Sequence, residues 1–599
     1  MAVISDYALL GDCQGAALVS SEGSVDWWCP PRFDAPSVFA RLLGATGGFW
    51  SIRPLAPYET SRRYLDKTMV LRTEFHTEDG VLRLTDALSL GAGERGHHIG
   101  YTSAHVLLRQ VEVVSGAVEV AVEIAARPEY GVVTPTIAET PVGIEISGGA
   151  DRLTLVADRD LAVDGALVTG RFTLRAGDSA MFALHHRRSA DPPTAPIDGR
   201  AALRDTVAAW ESWSSLHQHY QGAYREEVRR SALILQALTY QPTGAVIAAA
   251  TTSLPEEVGG AANWDYRFGW LRDGSFTLKA LWVAACPDEA HRFFDWMAAS
   301  MGSVEAEDHV PIMFGAGGER DLTEHTLEHL EGYQGSRPVR IGNDAWRQKQ
   351  LDVLGEILEC AWVLRDELTD LSPAAAALLR SLADRVVDSW REPDAGVWEG
   401  REGERHYLTS KLLCWVALDR AVRLAPVLRA EAHVPRWSQA REEVRAAILT
   451  EGWNAEARAF TGAFGSDHLD AGVLVMSPLG FLPADDGRVI ATVDAIRREL
   501  DARHDGLLQR WTGSGLEGTF IVCSYVLVQA LALAGQVDEA KRIFERITAR
   551  ANDVGLLSEE VDHRDGTLIG NFPQALSHIG LINAAWVIDQ VQSGGNPVR

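Results

Sequence analysis

The hydrophobic period of this chain changes once, and that change limits the fold more than any other feature. Up to about residue 195 apolar residues recur at every second position. Val118-Glu119-Val120-Ala121-Val122-Glu123-Ile124 sets Val and Ile on one face and Glu and Ala on the other, and Leu153-Thr154-Leu155-Val156 and Arg171-Phe172-Thr173-Leu174 behave alike. A period of two is that of a half-buried strand. Gly, Asp and Pro interrupt these runs at short spacing, which predicts many short strands in an antiparallel sandwich. The proline-rich stretch Asp191-Pro192-Pro193-Thr194-Ala195-Pro196 ends the pattern. Beyond it the period is helical: Leu351, Leu354, Leu358, Ala361, Leu364 and Leu368 form one apolar stripe, and Leu408, Leu412, Trp415, Leu418 and Val422 another. The span from about 220 to 590 has room for roughly twelve helices. The loops between them are rich in Gly, Trp, Arg, Asp and Glu, which suits a helical toroid whose loops line one pocket. A solenoid would need a fixed repeat, and none is visible. At 599 residues the chain exceeds one ordinary core, so several domains are expected.

A net charge of −26 with no basic block to offset it argues against nucleic acid and anionic membranes as partners and suits a neutral substrate. The six cysteines, Cys13, Cys29, Cys286, Cys360, Cys414 and Cys523, include no Cys-x-x-Cys pair, and most read as small buried hydrophobes. The N-terminus carries no basic region followed by an apolar core, so it is not read as a secretory signal. No window approaches 18 consecutive apolar residues. A reducing cytoplasm is the compartment that fits. The histidines form no His-x-x-x-His or His-Glu pair on a predicted helix that would point to a metal, and there is no Gly-x-Ser-x-Gly nucleophile elbow, so the expectation is neither metal nor cofactor.

The chemistry is carried by three stretches. Two put a glutamate in a turn-rich loop beside a helical pattern: Pro393-Asp394-Ala395-Gly396-Val397-Trp398-Glu399, and Gly555-Leu556-Leu557-Ser558-Glu559-Glu560-Val561-Asp562 with Gly570-Asn571-Phe572-Pro573 after it. A lone loop glutamate is usually a solvated surface group, but Trp398 directly precedes Glu399, and Phe572 and Pro573 follow Glu559 closely. Two carboxyls, one protonated and one ionised, are what inverting glycoside hydrolysis needs, roughly 6.5–9.5 Å apart. The third stretch, Asn263 to Asp273, holds Trp264, Tyr266 and Trp270 with two Arg–Asp sets, Asp265/Arg267 and Arg272/Asp273. Sugars stack C–H faces on aromatic rings and pair their hydroxyls with donors and acceptors, so this run reads as a sugar site. The competing reading is a salt-bridged helix start with core aromatics.

In order along the chain, Gly11-Asp12 through Trp27, Pro31 to Pro36, Asn263 to Asp273, Gly332-Tyr333, Gly335 to Asn343, the two glutamate motifs and Ser577-His578 resemble bacterial members of glycoside hydrolase family 15, the glucoamylase and trehalase family. The resemblance implies an N-terminal β-sandwich (1–195), a helical linker (196–220) and an all-α (α/α)6 catalytic barrel (221–599). It implies exo-acting release of β-glucose from non-reducing α-glucosyl ends by inversion. Glu399 matches the general acid and Glu559 the general base; Glu560 and Asp562 are the rivals of Glu559. Tyr266, Trp270, Arg272 and Asp273 match the grip on the terminal glucose, with Lys411 and Trp398 as further binding residues. Glu399 would have to stay protonated, which desolvation beside Trp398 would favour. Glu559 would have to stay ionised and needs donors or solvent around it. The Gly11–Pro36 motif is expected to pack on the barrel and approach the pocket. His329-Leu330-Glu331 and Tyr525-Val526-Leu527-Val528-Gln529 depart from the trehalase pattern and are assigned to the outer pocket or its support.

The leading function is an inverting α-glucosidase of trehalase type, with a small α-glucoside or oligosaccharide as partner. Hydrolysis of malto- or isomalto-oligosaccharides is the alternative. A glycoside phosphorylase and a non-catalytic sugar-binding protein are the competing classes; the retained glutamates argue against both. Homo-oligomerisation is left open.

Overall fold

The computed structural model describes residues 2–216, 220–284, 287–302, 309–366, 371–400, 403–501, 503–515 and 517–595. Fourteen antiparallel strands form the N-terminal sandwich. One strand, Val106–Ala125, serves both layers. Its first half pairs with Gly80–Leu88 and Ser179–Arg188, its second with Phe49–Pro54 and Leu167–Arg175. The handover falls at the exposed residues Val114–Gly116. Gly116 has φ +73°, and a Cβ there would meet the carbonyl oxygen of Asp79 at 1.9 Å. Strands that switch layers at such bends are how a sandwich turns its corners. Along the second half Glu119 and Glu123 point outward while Val118, Val120, Val122 and Ile124 are buried, as the period of two predicts.

The helices are α1 Gly199–Leu216, α2 Arg225–Ala237, α3 Gly274–Ala284, α4 Pro287–Met301, α5 Asp352–Val363, α6 Pro373–Ser389, α7 Leu408–Leu428, α8 Val434–Glu451, α9 Gly487–Leu500, α10 Ile521–Leu533, α11 Val537–Thr548 and α12 Ala575–Gln592. Helix α1 lies on the sandwich, where the Leu90 amide donates to Thr206 Oγ1 at 3.2 Å. The rest form a closed double ring. The inner ring runs α3, α5, α7, the short 3-10 segment Ala471–Met476, α10 and α12, and closes where α12 packs on α3. Outside it stand α2, α4, α6, α8, α9 and α11. Burial follows the ring. Inner α7 is buried on all sides from Leu408 to Ala421, so its apolar stripe understates its burial. Outer α11 buries Ala540, Ile543, Phe544 and Ile547, a single amphipathic face. Leu368, the last residue of the predicted first stripe, lies outside the described residues, as does Cys286.

The N-terminal fifty residues pack on the barrel. The Trp27 indole donates to the Ala250 carbonyl at 2.8 Å, the Gln241 amide to the Cys13 carbonyl at 2.8 Å, and Asn552 Nδ2 to the carbonyls of Ser5 and Tyr7 at 3.0 and 2.8 Å. No described helix is long and apolar enough to cross a membrane.

Candidate active site

A cavity of about 730 Å³ opens among the segments that lead into the inner helices. The run before α3 is extended and pairs with residues 248–253: Ala249 N donates to Tyr266 O, and Ser253 N to Trp264 O, both at 2.8 Å. Successive side chains of an extended segment point to opposite sides, and here that divides the run. Trp264 and Tyr266 face the cavity, followed by Trp270, Arg272 and Asp273. Asp265 and Arg267 face away and are fully buried. The expectation that both Arg–Asp sets serve the sugar is therefore corrected for the first of them. Arg267 meets Asp265 through two bonds of 2.8 and 2.6 Å and donates to the carbonyl of Ala35 at 3.1 Å and to the hydroxyl of Tyr130 at 2.9 Å. It ties the pocket strand to the sandwich. The Gly11–Pro36 motif supports the pocket from behind, through this clamp and through the Trp27 indole on Ala250; none of the lining residues precedes Ala248.

Glu399 sits in the turn before α7 with φ +57°. Its Oε1 accepts from the Trp270 indole at 2.7 Å and from Arg272 at 2.6 Å. Arg272 also donates to the Val397 carbonyl at 2.6 Å and to Asp273 at 3.1 Å. Trp398, expected to shield Glu399, lines the same cavity beside it. Its indole N–H turns to both carboxylate oxygens of Asp470, at 2.9 and 3.0 Å.

Glu559 faces the cavity from the chain's last loop, 1% exposed, with the Tyr266 hydroxyl beside its carboxylate. The groups near it that favour its ionised form are the Arg510 guanidinium and this hydroxyl. Burial, then the carboxylates of Glu256 and Glu560, push it well above the ordinary carboxylate range, while Arg510 pulls the other way. Its close neighbour Gly570 has φ +75°, and a Cβ there would lie 2.6 Å from Glu559 Cβ and Oε2. Tyr266 packs edge-on against Trp270 with ring centroids 5.4 Å apart, and burial together with Glu559, Glu256 and Glu399 raises its hydroxyl well above its usual range. Of the two rivals, Glu560 belongs to the short strand paired with Phe520 and does not line the cavity, and Asp562 lies outside it, paired with Arg564 at 2.6 Å.

The structure thus brings Glu399, Glu559, Tyr266, Trp270, Arg272, Asp273 and Trp398 to one cavity. Lys411 is not among the lining residues; it is fully buried, and its Nζ donates to the Glu392 carbonyl. The departures from the family pattern also fall elsewhere than expected. His329 donates to the Tyr130 carbonyl at 2.8 Å, on the sandwich side, and Tyr525 is buried against Phe544 with its hydroxyl on Thr548. Only Val526 of that second segment lines the cavity.

Cavity residues that escaped the sequence reading include Glu256, Asp470, Arg510 and Trp511. Arg510 lies over the ring of Trp511 and reaches Glu256 at 2.7 Å, Glu517, and Glu560 at 3.8 Å. Glu256, Glu517 and Glu560 offer carboxylate oxygens within 4.8 Å of one another, a spacing that could hold a metal ion, and the Arg510 guanidinium is ion-paired to all three. Asp470 is pushed up to about 6, chiefly by burial.

Comparison with known proteins agrees with this architecture. The family described as Glycosyl hydrolases family 15 matches over residues 222–586, and that described as Trehalase-like, N-terminal, over residues 2–166. A trehalase of Mycolicibacterium smegmatis is 37% identical over 97% of this chain and 90% of its own length. A trehalase of Mycobacterium tuberculosis is 36% identical over 97% of this chain and 89% of its own. Among solved structures, a bacterial glucoamylase complexed with acarbose aligns with a TM-score of 0.74 over 100% of this chain and 95% of that one, at 13% identity, a likeness of fold alone.

Proposed function

The chain belongs to glycosyl hydrolase family 15, and we propose that it hydrolyses α,α-trehalose with inversion, Glu399 serving as general acid and Glu559 as general base. The observation that carries this is the contrast between two carboxyls in one cavity. Glu399 has one oxygen fixed by two donors, which leaves Oε2 to hold and deliver a proton. Arg272 already has an anionic partner in Asp273, so a neutral Glu399 leaves no uncompensated charge. Glu559 lines the cavity with the Tyr266 hydroxyl beside it, and its remaining lone pairs face what enters. A carboxyl held above its ordinary range is a stronger base toward water.

In the step proposed, the Glu399 proton passes to the glycosidic oxygen as its bond to the anomeric carbon breaks. Water attacks the opposite face of that carbon and gives its proton to Glu559. Tyr266, among the three carboxylates, is placed to hold that water; Arg272 and Asp273 offer a donor and an acceptor to vicinal hydroxyls. The trehalose assignment is supported by relatives of that name along nearly the whole chain. A cytoplasmic site of action belongs to the same proposal and is supported by Cys13, Cys29, Cys360, Cys414 and Cys523, all buried and unpaired.

The test is hydrolysis of trehalose, maltose, isomaltose and soluble starch by purified protein, with NMR of the fresh product. Inversion gives one β- and one α-glucose from trehalose, and β-glucose alone from α-glucosyl fluoride. Two α-glucose molecules from trehalose would overturn the roles of both glutamates. Glu399→Gln should lose about 10²–10⁴-fold on the disaccharide and much less on the fluoride, whose departure needs little protonation. Faster turnover of maltose or isomaltose than of trehalose would replace the substrate and leave the mechanism intact.

A further inference from the structure

The turn that carries Glu399 is one that the backbone does not hold by itself. At φ +57° Glu399 is in the left-handed region, which a non-glycine residue keeps only where its surroundings enforce it. Three clamps are visible. Trp270 and Arg272 hold the side chain, and Arg272 also holds the Val397 carbonyl. Gln348 Nε2 donates to the Glu399 carbonyl at 3.1 Å. The third clamp acts one residue earlier, on Trp398. Asp470, 5% exposed, receives the Trp398 indole N–H on both oxygens and the Gly472 amide on Oδ1 at 2.7 Å. It is the N-cap of Ala471–Met476, the short 3-10 segment that stands in the inner ring where the other five positions have full helices. The Trp398 ring is then boxed by Phe520, centroids 5.5 Å apart, by Trp511 at 6.1 Å and by Arg510 at 5.7 Å.

We propose that Asp470 is a positioning residue for the protonation step: by fixing the Trp398 indole it fixes, through the peptide that joins them, the direction of the Glu399 carboxyl. The proposal rests on the assignment of Glu399 as the general acid. Asp470 touches neither of the two glutamates' carboxyls, so its effect is transmitted. Rotation of the indole would swing the 398–399 peptide and re-aim Oε2, and geometry errors of that kind cost rate far more than affinity. A purely structural Asp470, one that only caps the 3-10 segment, would affect all substrates alike.

The experiment compares Asp470→Asn, which keeps Oδ1 for the Gly472 amide and turns an NH2 donor on the indole N–H in place of Oδ2, with Trp398→Phe, which keeps a ring and removes the donor. Each is assayed on the disaccharide cleaved fastest by the parent enzyme and on α-glucosyl fluoride, beside Glu399→Gln. The expected result for Asp470→Asn is a kcat loss of about 10–100-fold on the disaccharide with KM and fluoride hydrolysis within about threefold, and for Trp398→Phe, whose ring also lines the cavity, a loss at least about tenfold greater on the disaccharide than on the fluoride. The double variant should be no slower than the slower single one, because both act on the same contact. Equal losses on the two substrates, or losses that multiply in the double variant, overturn the proposal. If Glu399→Gln separates the two substrates and Asp470→Asn does not, only this proposal falls; if Glu399→Gln does not separate them, the acid assignment falls and the proposal with it. Should Asp470→Asn fail to fold, Trp398→Phe carries the same two outcomes alone.

Discussion

Arg267→Met separates the stability of the domain clamp from its effect on chemistry. The side chain is 1% exposed and makes two bonds to Asp265 and two close ones to sandwich acceptors. Its removal leaves the Asp265 carboxylate buried with the amides of Gly342 at 3.0 Å and of Arg267 itself at 3.2 Å. Breaking a buried pair from one side costs about 3–5 kcal/mol, because the surviving charge is left without its counterion. Unfolding entropy is about 2.1 cal/mol/K per residue, about 1.3 kcal/mol/K for a chain of 599 residues. The Tm should therefore fall by about 2–4 °C if the chain melts as one unit, and by more if the domains part first. Adding Asp265→Asn removes the stranded charge and should restore most of the loss. Because Tyr266 stands between the two members of the pair, the single variant should also lose about tenfold in kcat at 25 °C while still folded. Differential scanning calorimetry and steady-state kinetics read both. A Tm unchanged within 0.5 °C (about 0.6 kcal/mol on the same scale), or a double variant less stable than the single one, would refute the reasoning.

Three further outcomes follow from the base side of the cavity. Glu559 works ionised, so activity should fall as pH drops through its raised pKa; Glu256→Gln removes a like charge beside it and should move that acid limb to lower pH, read from kcat/KM against pH, and a limb that stays in place would contradict it. Glu560 is pushed up to about 8 by burial and Glu256, so between its unfolded value and pH 8 folding takes up a proton and stability declines as pH rises; Glu560→Gln should raise Tm by an amount that grows from pH 5 to pH 8, with activity retained, and a gain largest at pH 5 would contradict the sign. Gly570→Ala places a methyl 2.6 Å from the base at φ +75° and should lower kcat about 100-fold with little change in KM; near-parent kcat would mean that Glu559 tolerates displacement.

Much of the architecture was legible because it follows from periodicity. The switch from a period of two to a helical period separates sandwich from barrel, and the two glutamate loops announce themselves by the aromatics beside them. The division of Asn263–Asp273 was also there to be read: Trp264 and Tyr266 alternate with Asp265 and Arg267, and extended backbone must send them to opposite sides. Composition obscured it, since any Arg–Asp set looks like a sugar grip. The same alternation separates Glu559 from Glu560, but which of them faces inward depends on the pairing of Glu560 with Phe520 and Ile569, a register set by residues distant in sequence. Asp470, Arg510 and Glu256 left no local signal. Each is a lone charged residue in an ordinary loop, and only closure of the inner ring brings them to one wall. His329–Glu331 misled for the opposite reason: a departure from a family pattern marks a changed contact without saying which, and here the contact is with the sandwich.

The charges of the cavity argue for the kind of reaction it can run. Its lining holds the carboxyls of Glu256, Asp273, Glu356, Glu399, Asp470 and Glu559 against the guanidiniums of Arg272, Arg405 and Arg510. On the acid side Arg272 is matched by Asp273 and bonded to Glu399. On the base side Arg510 alone faces Glu256, Glu517 and Glu560, with Glu559 beside them. Such a group cannot be fully ionised, which is why protons are retained there above the ordinary carboxylate range. A neutral sugar enters this field without penalty. As its glycosidic bond breaks, positive charge develops at the anomeric carbon and ring oxygen, and a preorganised excess of carboxylates stabilises that charge more than it stabilises the bound sugar. An anionic sugar would meet the same field as repulsion. The excess of acid groups over arginines therefore selects both the neutral ground state and the cationic transition state, and it does so from residues that the ring assembles out of five separate loops and helix α5.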